Sequence, residues 1–201
     1  MLARLLVPGL HGAEMEDSGQ PVALPALEAA LVEKSVPKRQ REFALGRACA
    51  RAALEKLGHG EALIGRRANG APLWPEGVTG SITHTKGYAA ALAGATSQYR
   101  GIGVDAERVG GVTRDLWPRL FDARERDQLS ALDDAGQLVM ATLFFTAKEA
   151  CYKAWGGEGP LGFQEIQVSP LVSGFIARRD GQSLEGRYVL EGGLMVTAAW
   201  F

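Results

Sequence analysis

Gly101-Ile102-Gly103-Val104-Asp105-Ala106-Glu107 is the stretch on which the reading of this chain turns. It has the period of a short strand, with Ile102 and Val104 on one side. Residues i and i+2 of a strand share a face, so the carboxylates of Asp105 and Glu107 point the same way. On each side of it the chain runs through helices and then strands. The strand is therefore the joint between two lobes.

Upstream, Gly9 to Pro25 is rich in Gly, Pro, Ser and acids and reads as loop. Ala26 to Lys34 reads as a helix, and Pro37 opens the next. Arg39 to Leu57 carries Phe43, Leu45, Ala48, Ala53 and Leu57 at roughly helical spacing, and Gly58 is a stop. Leu63-Ile64 is a short strand candidate. Asn69-Gly70 and Trp74-Pro75-Glu76-Gly77 are turns. Gly80–Thr85 and Tyr88–Ala93 read as two strands joined at Lys86-Gly87. Downstream, Leu116–Phe121 and Ala123–Leu132 read as helices, with Asp122 as an N-cap. Leu138–Trp155 reads as a long helix ending at Gly156-Gly157. Strand-like runs follow at Gln164–Val168, Gly174–Arg179, Gly186–Leu190 and Leu194–Phe201. The expectation is an α+β fold of two similar α/β lobes with pseudo-twofold character, residues 1–103 and 104–201. Each lobe has a small, mostly antiparallel sheet packed by helices, with a ligand cleft between them.

The second informative stretch is Phe145-Thr146-Ala147-Lys148-Glu149-Ala150-Cys151-Tyr152-Lys153-Ala154. In a helix it sets Glu149 and Lys153 one turn apart on one face. Taken singly, each cluster is ordinary: a solvated strand end, and a helix ion-pair pattern contributing roughly 0.2–0.5 kcal/mol. Three carboxylates and two lysines together suit a divalent cation held against a phosphorylated substrate. Mg²⁺ takes oxygen ligands and is commonly shared between carboxylates and phosphates, while lysine meets phosphate as a point charge.

The rest of the chain narrows the classes. Its 201 residues suffice for one compact unit or two small lobes. A net charge of −1 gives no global basic field for nucleic acid. Basic residues concentrate between Lys34 and Arg67. Cys49 and Cys151 sit in helical patterns and read as buried, reduced thiols. No Cys/His spacing suggests zinc, and His11, His59 and His84 form no cluster. Leu2 to Leu10 is too short and interrupted for a membrane span and lacks a signal-cleavage pattern, so a reducing, cytoplasmic setting is expected.

Four stretches line up in order. They are Lys38 to Phe43 with Gly46 to Arg51; Gly70 to Pro75 with Gly80-Ser81-Ile82-Thr83-His84; Gly103 to Glu107; and Phe145 to Ala150 with Tyr152 to Trp155. In that order the chain resembles the 4′-phosphopantetheinyl transferases, and more narrowly their monomeric, two-lobed group serving siderophore and other peptide or polyketide synthases. The resemblance covers about Pro37 to Gly162.

The resemblance implies a reaction of the holo-[acyl-carrier-protein] synthase type. Coenzyme A donates its phosphopantetheine arm to a serine of an apo acyl or peptidyl carrier protein, and adenosine 3′,5′-bisphosphate leaves. It implies Mg²⁺, with Mn²⁺ as a substitute, on Asp105, Glu107 and Glu149. Glu149 is implied as metal ligand, general base or both, and Lys153 meets charge on the pyrophosphate. Arg39, Arg47, Arg66, Thr83, His84, Lys148 and Lys153 are the implied coenzyme A contacts. Asn69 stands where some relatives carry a lysine. Carrier docking is expected around Leu116 to Arg126, with Leu116, Leu120 and Phe121 as apolar contacts. Two other readings compete: a metal-dependent phosphohydrolase and a non-catalytic binding module. The first lacks a histidine-rich two-metal set or phosphate loop. The second fits poorly with a full set of acids and lysines.

Overall fold

The computed structural model describes residues 1–157 and 162–201. Its first lobe comprises β1 (Leu10–Glu16), α1 (Ala26–Ala30), α2 (Pro37–Glu55), β2 (Gly65–Arg66), β3 (Pro72–Leu73), β4 (Val78–Thr85) and β5 (Tyr88–Ala95). The second comprises β6 (Ile102–Arg108), α3 (Trp117–Leu120), α4 (Ala123–Ser130), α5 (Asp134–Ala154), β7 (Gln167–Pro170), β8 (Gly174–Arg179), β9 (Gln182–Glu191) and β10 (Leu194–Trp200).

The expected α+β architecture is present. One antiparallel sheet runs β1-β5-β4 and the other β6-β10-β9-β8-β7, while β2 and β3 form a small hairpin. The lobes are unequal, with sheets of three and five strands. Among the described residues, three apolar cores set the layers. Leu45, Cys49, Ala53 and Leu54 of α2 pack on Ala89, Ala91 and Ala93, the odd-numbered face of β5. The opposite face of β5, with Tyr88, Ala90 and Leu92, packs on Ile102, Val104, Val196 and Ala198 of the second sheet. Phe144, Ala147, Ala150 and Cys151 of α5 pack with Ala177, Leu184 and Ala199 on that sheet's far side. The alternation of β5 and β6 thus feeds two cores at once, which is why β5 is apolar on both faces.

Local signals explain the helices. Pro37 sits in the first turn of α2, where a missing N–H costs nothing. Asp122 caps α4 in a reciprocal capping box with Glu125, as its position suggests. Asp133 accepts from the Gly136 N–H and starts α5 one turn before the apolar run. Glycine decides how closely α5 lies on β6. A Cβ on Gly101 would fall 1.9 Å from the Ala154 carbonyl oxygen, and one on Gly103 would fall 1.7 Å from that of Ala150. Helix backbone rests directly on strand backbone there.

Several expectations are corrected. The stretch Gly9 to Pro25 contains β1, whose pairing with β5 overrides its turn-like composition. The Gln164–Val168 run begins as a 3-10 turn at Phe163–Glu165, and β7 starts at Gln167. Helix α1 stops at Ala30, and β9 extends well beyond Gly186–Leu190. The 103/104 boundary falls inside β6, which hydrogen-bonds to β10 from Ile102 onward. Leu120 and Phe121 are buried at 8% and 0% exposure, so they are core residues and not docking contacts, whereas Leu116 is exposed. Among the described residues, no helix is long and apolar enough to cross a membrane.

Candidate active site

The face of β6 that begins with Gly101 and Gly103 continues to Asp105, which meets the last turns of α5. Lys153 Nζ donates to Asp105 Oδ1 at 2.6 Å and to the Val104 carbonyl at 3.1 Å. Edge strand β4 meets the same face from the first lobe. The Thr83 hydroxyl accepts the Ala106 N–H at 3.1 Å and donates to Asp105 Oδ1 at 3.1 Å. Two residues on, Thr85 Oγ1 donates to Glu107 Oε1 at 3.0 Å. The Arg108 N–H donates to that same oxygen at 2.6 Å. The carboxylates of Asp105 and Glu107 therefore sit at the seam of the lobes, on one face, as the strand period requires.

Glu149 lies one helical turn before Lys153 and accepts no hydrogen bond from a described residue. Burial pushes its carboxyl above the ordinary range; Lys153 pulls it back, and the neighbouring Asp105 charge raises it further. Its proton affinity thus moves toward neutrality.

The donor chemistry fits a hard divalent cation, since Asp105, Glu107 and Glu149 all offer carboxylate oxygen. Among the described residues, however, no three such groups converge closely enough to enclose an ion alone.

The basic residues divide. Arg39 Nη1 donates to His84 Nε2 at 2.6 Å. A guanidinium can only donate, so Nε2 is the acceptor and the imidazole proton lies on Nδ1, 3.8 Å from Glu42 Oε2. Burial lowers the His84 pKa, with Glu42 opposing and the Arg39 charge adding to it, which keeps the ring neutral. Arg47 is buried under 2.8 Å contact with the Gly65 carbonyl, and its guanidinium lies 4.8 Å from the Phe43 ring centroid. Its Nη1 is enclosed without a hydrogen-bond partner, and burial lowers its pKa to about 10. Arg66 lies in β2 and is exposed.

Two expected coenzyme A contacts have their donors committed to protein groups. Lys148 is fully buried, and its ammonium donates to Glu125 Oε2 at 2.5 Å, the Leu120 carbonyl at 2.9 Å and the Phe163 carbonyl at 2.8 Å. Neighbouring positions on a helix point about 100° apart, and here that rotation carries Lys148 into the second lobe's core. Thr83 is 3% exposed, and its one proton is committed to Asp105.

A cleft of about 480 Å³ opens between the lobes. The first lobe lines it with Arg67, Asn69, Trp74 and the Gly80–Ile82 part of β4, and the second with Arg100, Tyr152 and Lys153. Lys153 is the one expected site residue on its wall. Arg67 and Arg100 were not singled out by the sequence. Arg67 is hidden beside Arg66 in a basic run, and Arg100 lies just outside the strand motif. Trp74 is a packing element as well as a wall, since its ring closes over Gly80.

Comparison with known proteins matches residues 27–94 to the 4′-phosphopantetheinyl transferase N-terminal domain and residues 101–193 to the 4′-phosphopantetheinyl transferase superfamily. The chain is 38% identical over 171 residues to the 4′-phosphopantetheinyl transferase Npt of Nocardia iowensis, covering 84% of this chain and 76% of that protein. It is 39% identical over 188 residues to the transferase Svp of Streptomyces mobaraensis, covering 85% and 76%. It is 34% identical over 189 residues to PptT of Mycobacterium tuberculosis, covering 85% and 83%.

Proposed function

Because this chain belongs to the 4′-phosphopantetheinyl transferases, we propose that the cleft between its lobes holds coenzyme A with its pyrophosphate beside Lys153, Asp105 and Glu149. The reaction moves the phosphopantetheine arm to a serine of an apo carrier protein. The serine oxygen bonds to the β-phosphorus, the bond from that phosphorus to the bridging oxygen breaks, and adenosine 3′,5′-bisphosphate carries away the electron pair. Such transfers depend on positioning and charge stabilisation.

The observation that carries this reading is the Lys153–Asp105 contact on the wall of a cleft lined from both lobes. Mg²⁺ would be held by Asp105 and Glu107, with Glu149 facing it, and would neutralise pyrophosphate charge. Lys153 supplies a cation to the same oxygens while donating to Asp105 Oδ1. Glu149 takes the serine proton, directly or through a water; its upward-shifted pKa makes it a better base than an ordinary carboxylate. The neutral His84, Arg39, Arg47 and Arg66 hold coenzyme A phosphates, and the unpartnered Arg47 Nη1 supports an anion in that region. The acceptors are acyl or peptidyl carrier domains. Both walls of the cleft come from one chain, so a monomer suffices.

The test is the intact mass of an apo carrier protein after incubation with this protein, coenzyme A and Mg²⁺. A gain of one phosphopantetheine, lost with EDTA, is expected. Metal-independent gain would remove the cation from the reading, and no gain on peptidyl, polyketide and fatty-acid carriers would overturn the acceptor assignment.

A further inference from the structure

Asp105 and Glu107 are held in the same unusual way. In each, all hydrogen bonds from described residues fall on one oxygen. Asp105 Oδ1 receives the Thr83 hydroxyl and Lys153. Glu107 Oε1 receives the Thr85 hydroxyl and the Arg108 N–H. Asp105 Oδ2 and Glu107 Oε2 receive none, and neither is an enclosed, partnerless atom. A threonine hydroxyl has one proton. The Ala106 N–H can only donate, so it takes a lone pair of Thr83 and turns that proton toward Asp105. Two residues on, the Thr85 hydroxyl likewise donates to Glu107 Oε1, while the Arg108 N–H goes to that carboxylate oxygen directly. Both threonines stand on β4, in the other lobe.

We propose that Thr83 and Thr85 are positioning residues for the cation. Each occupies one oxygen of a carboxylate across the lobe seam, fixes its rotamer, and leaves the twin oxygen available as a ligand. This rests on the reading of Asp105 and Glu107 as cation ligands. Charge-assisted hydrogen bonds are the strong ones in such a shell. Carboxylates that bind metal are commonly oriented by outer partners of this type, whose loss costs about 10–100-fold in metal affinity. The arrangement also makes ligand geometry depend on contact between lobes, since the donors and the carboxylates belong to different sheets.

The experiment is a Mn²⁺ titration of the coenzyme A-bound protein, followed by electron paramagnetic resonance of free Mn²⁺, so that no turnover is needed. Thr85 is half-buried and its valine replacement keeps the shape, so Thr85→Val is the main variant. Thr85→Val is expected to raise the Mn²⁺ Kd by about 10-fold or more, while Thr85→Ser restores it and coenzyme A affinity measured without metal is unchanged in both. Asp105→Asn separates the two levels of the reading. If Asp105→Asn weakens Mn²⁺ binding and Thr85→Val does not, the positioning role is overturned and the ligand assignment stands. If Asp105→Asn leaves binding unchanged, the ligand assignment fails and the positioning role with it. A Thr85→Val loss that serine does not restore identifies packing, not the hydroxyl, and also overturns the proposal.

Discussion

At the scale of single residues, two charged groups adjacent on α5 have opposite fates, and each gives a test. Glu149 has a folded-state pKa above its unfolded value. The folded state therefore holds the proton longer, and stability falls as pH rises from the ordinary carboxylate range through the folded pKa. Glu149→Gln should remove that slope, leave the protein at least as stable at neutral pH, and abolish transfer; urea melts across pH with a carrier mass assay check all three. Normal turnover would take Glu149 out of the chemistry. Lys153 lowers the Glu149 pKa, so Lys153→Met should shift the acidic limb of any residual activity to higher pH. Lys148 faces the other way. Removing it strands the buried Glu125 carboxylate, a loss of roughly 3–5 kcal/mol for a broken buried pair. Lys148→Met should lower the denaturation midpoint accordingly, yet leave coenzyme A affinity of the folded fraction intact. Weakened coenzyme A binding at unchanged stability would restore Lys148 to the site. The sequence could not separate these neighbours, because it shows helical order but not which way the helix is turned against its neighbours. The same limit hid the commitment of Thr83 to Asp105.

Among elements, the joint strand β6 was legible because its period, its glycines and its acids agree. Gly101, Gly103 and Asp105 form one face, and the glycines let α5 approach until Lys153 reaches Asp105. Gly103→Ala should push α5 off β6, costing about 1–3 kcal/mol or more as overpacking does. It should depress transfer far more than its stability loss predicts, measured as kcat/KM beside a thermal melt. Full activity in a folded Gly103→Ala protein would show that the close approach is not what positions Lys153. The long helices α2 and α5 were legible for the same reason, since Pro37 and the apolar spacing agree. Strand β1 was not, because His11, Gly12, Glu14 and Glu16 leave few apolar or β-branched residues to mark it as a strand. Its structure comes from seven pairs with β5, a tertiary choice that local composition does not reveal. The cleft walls from Arg67, Asn69, Pro72 and Arg100 were hidden likewise, as they join the site only through lobe packing.

For the whole molecule, a cleft lined by both lobes makes ligand binding a stabiliser of the assembled state. Coenzyme A at 100 times its Kd should add about 2.7 kcal/mol, seen as one cooperative melt moving upward. Separate melting of the lobes, with only one shifted, would contradict a site shared between them. The seam has another consequence. Strands β4 and β6 are each the last strand of their sheet, and no backbone ladder joins them. Thr83–Asp105 and Thr85–Glu107 instead set them side by side in the same direction. The lobe contact thus covers two unpaired strand edges, which are natural templates for adding a foreign strand. Loosening the seam would expose both, so its first cost would be self-association of partly opened chains.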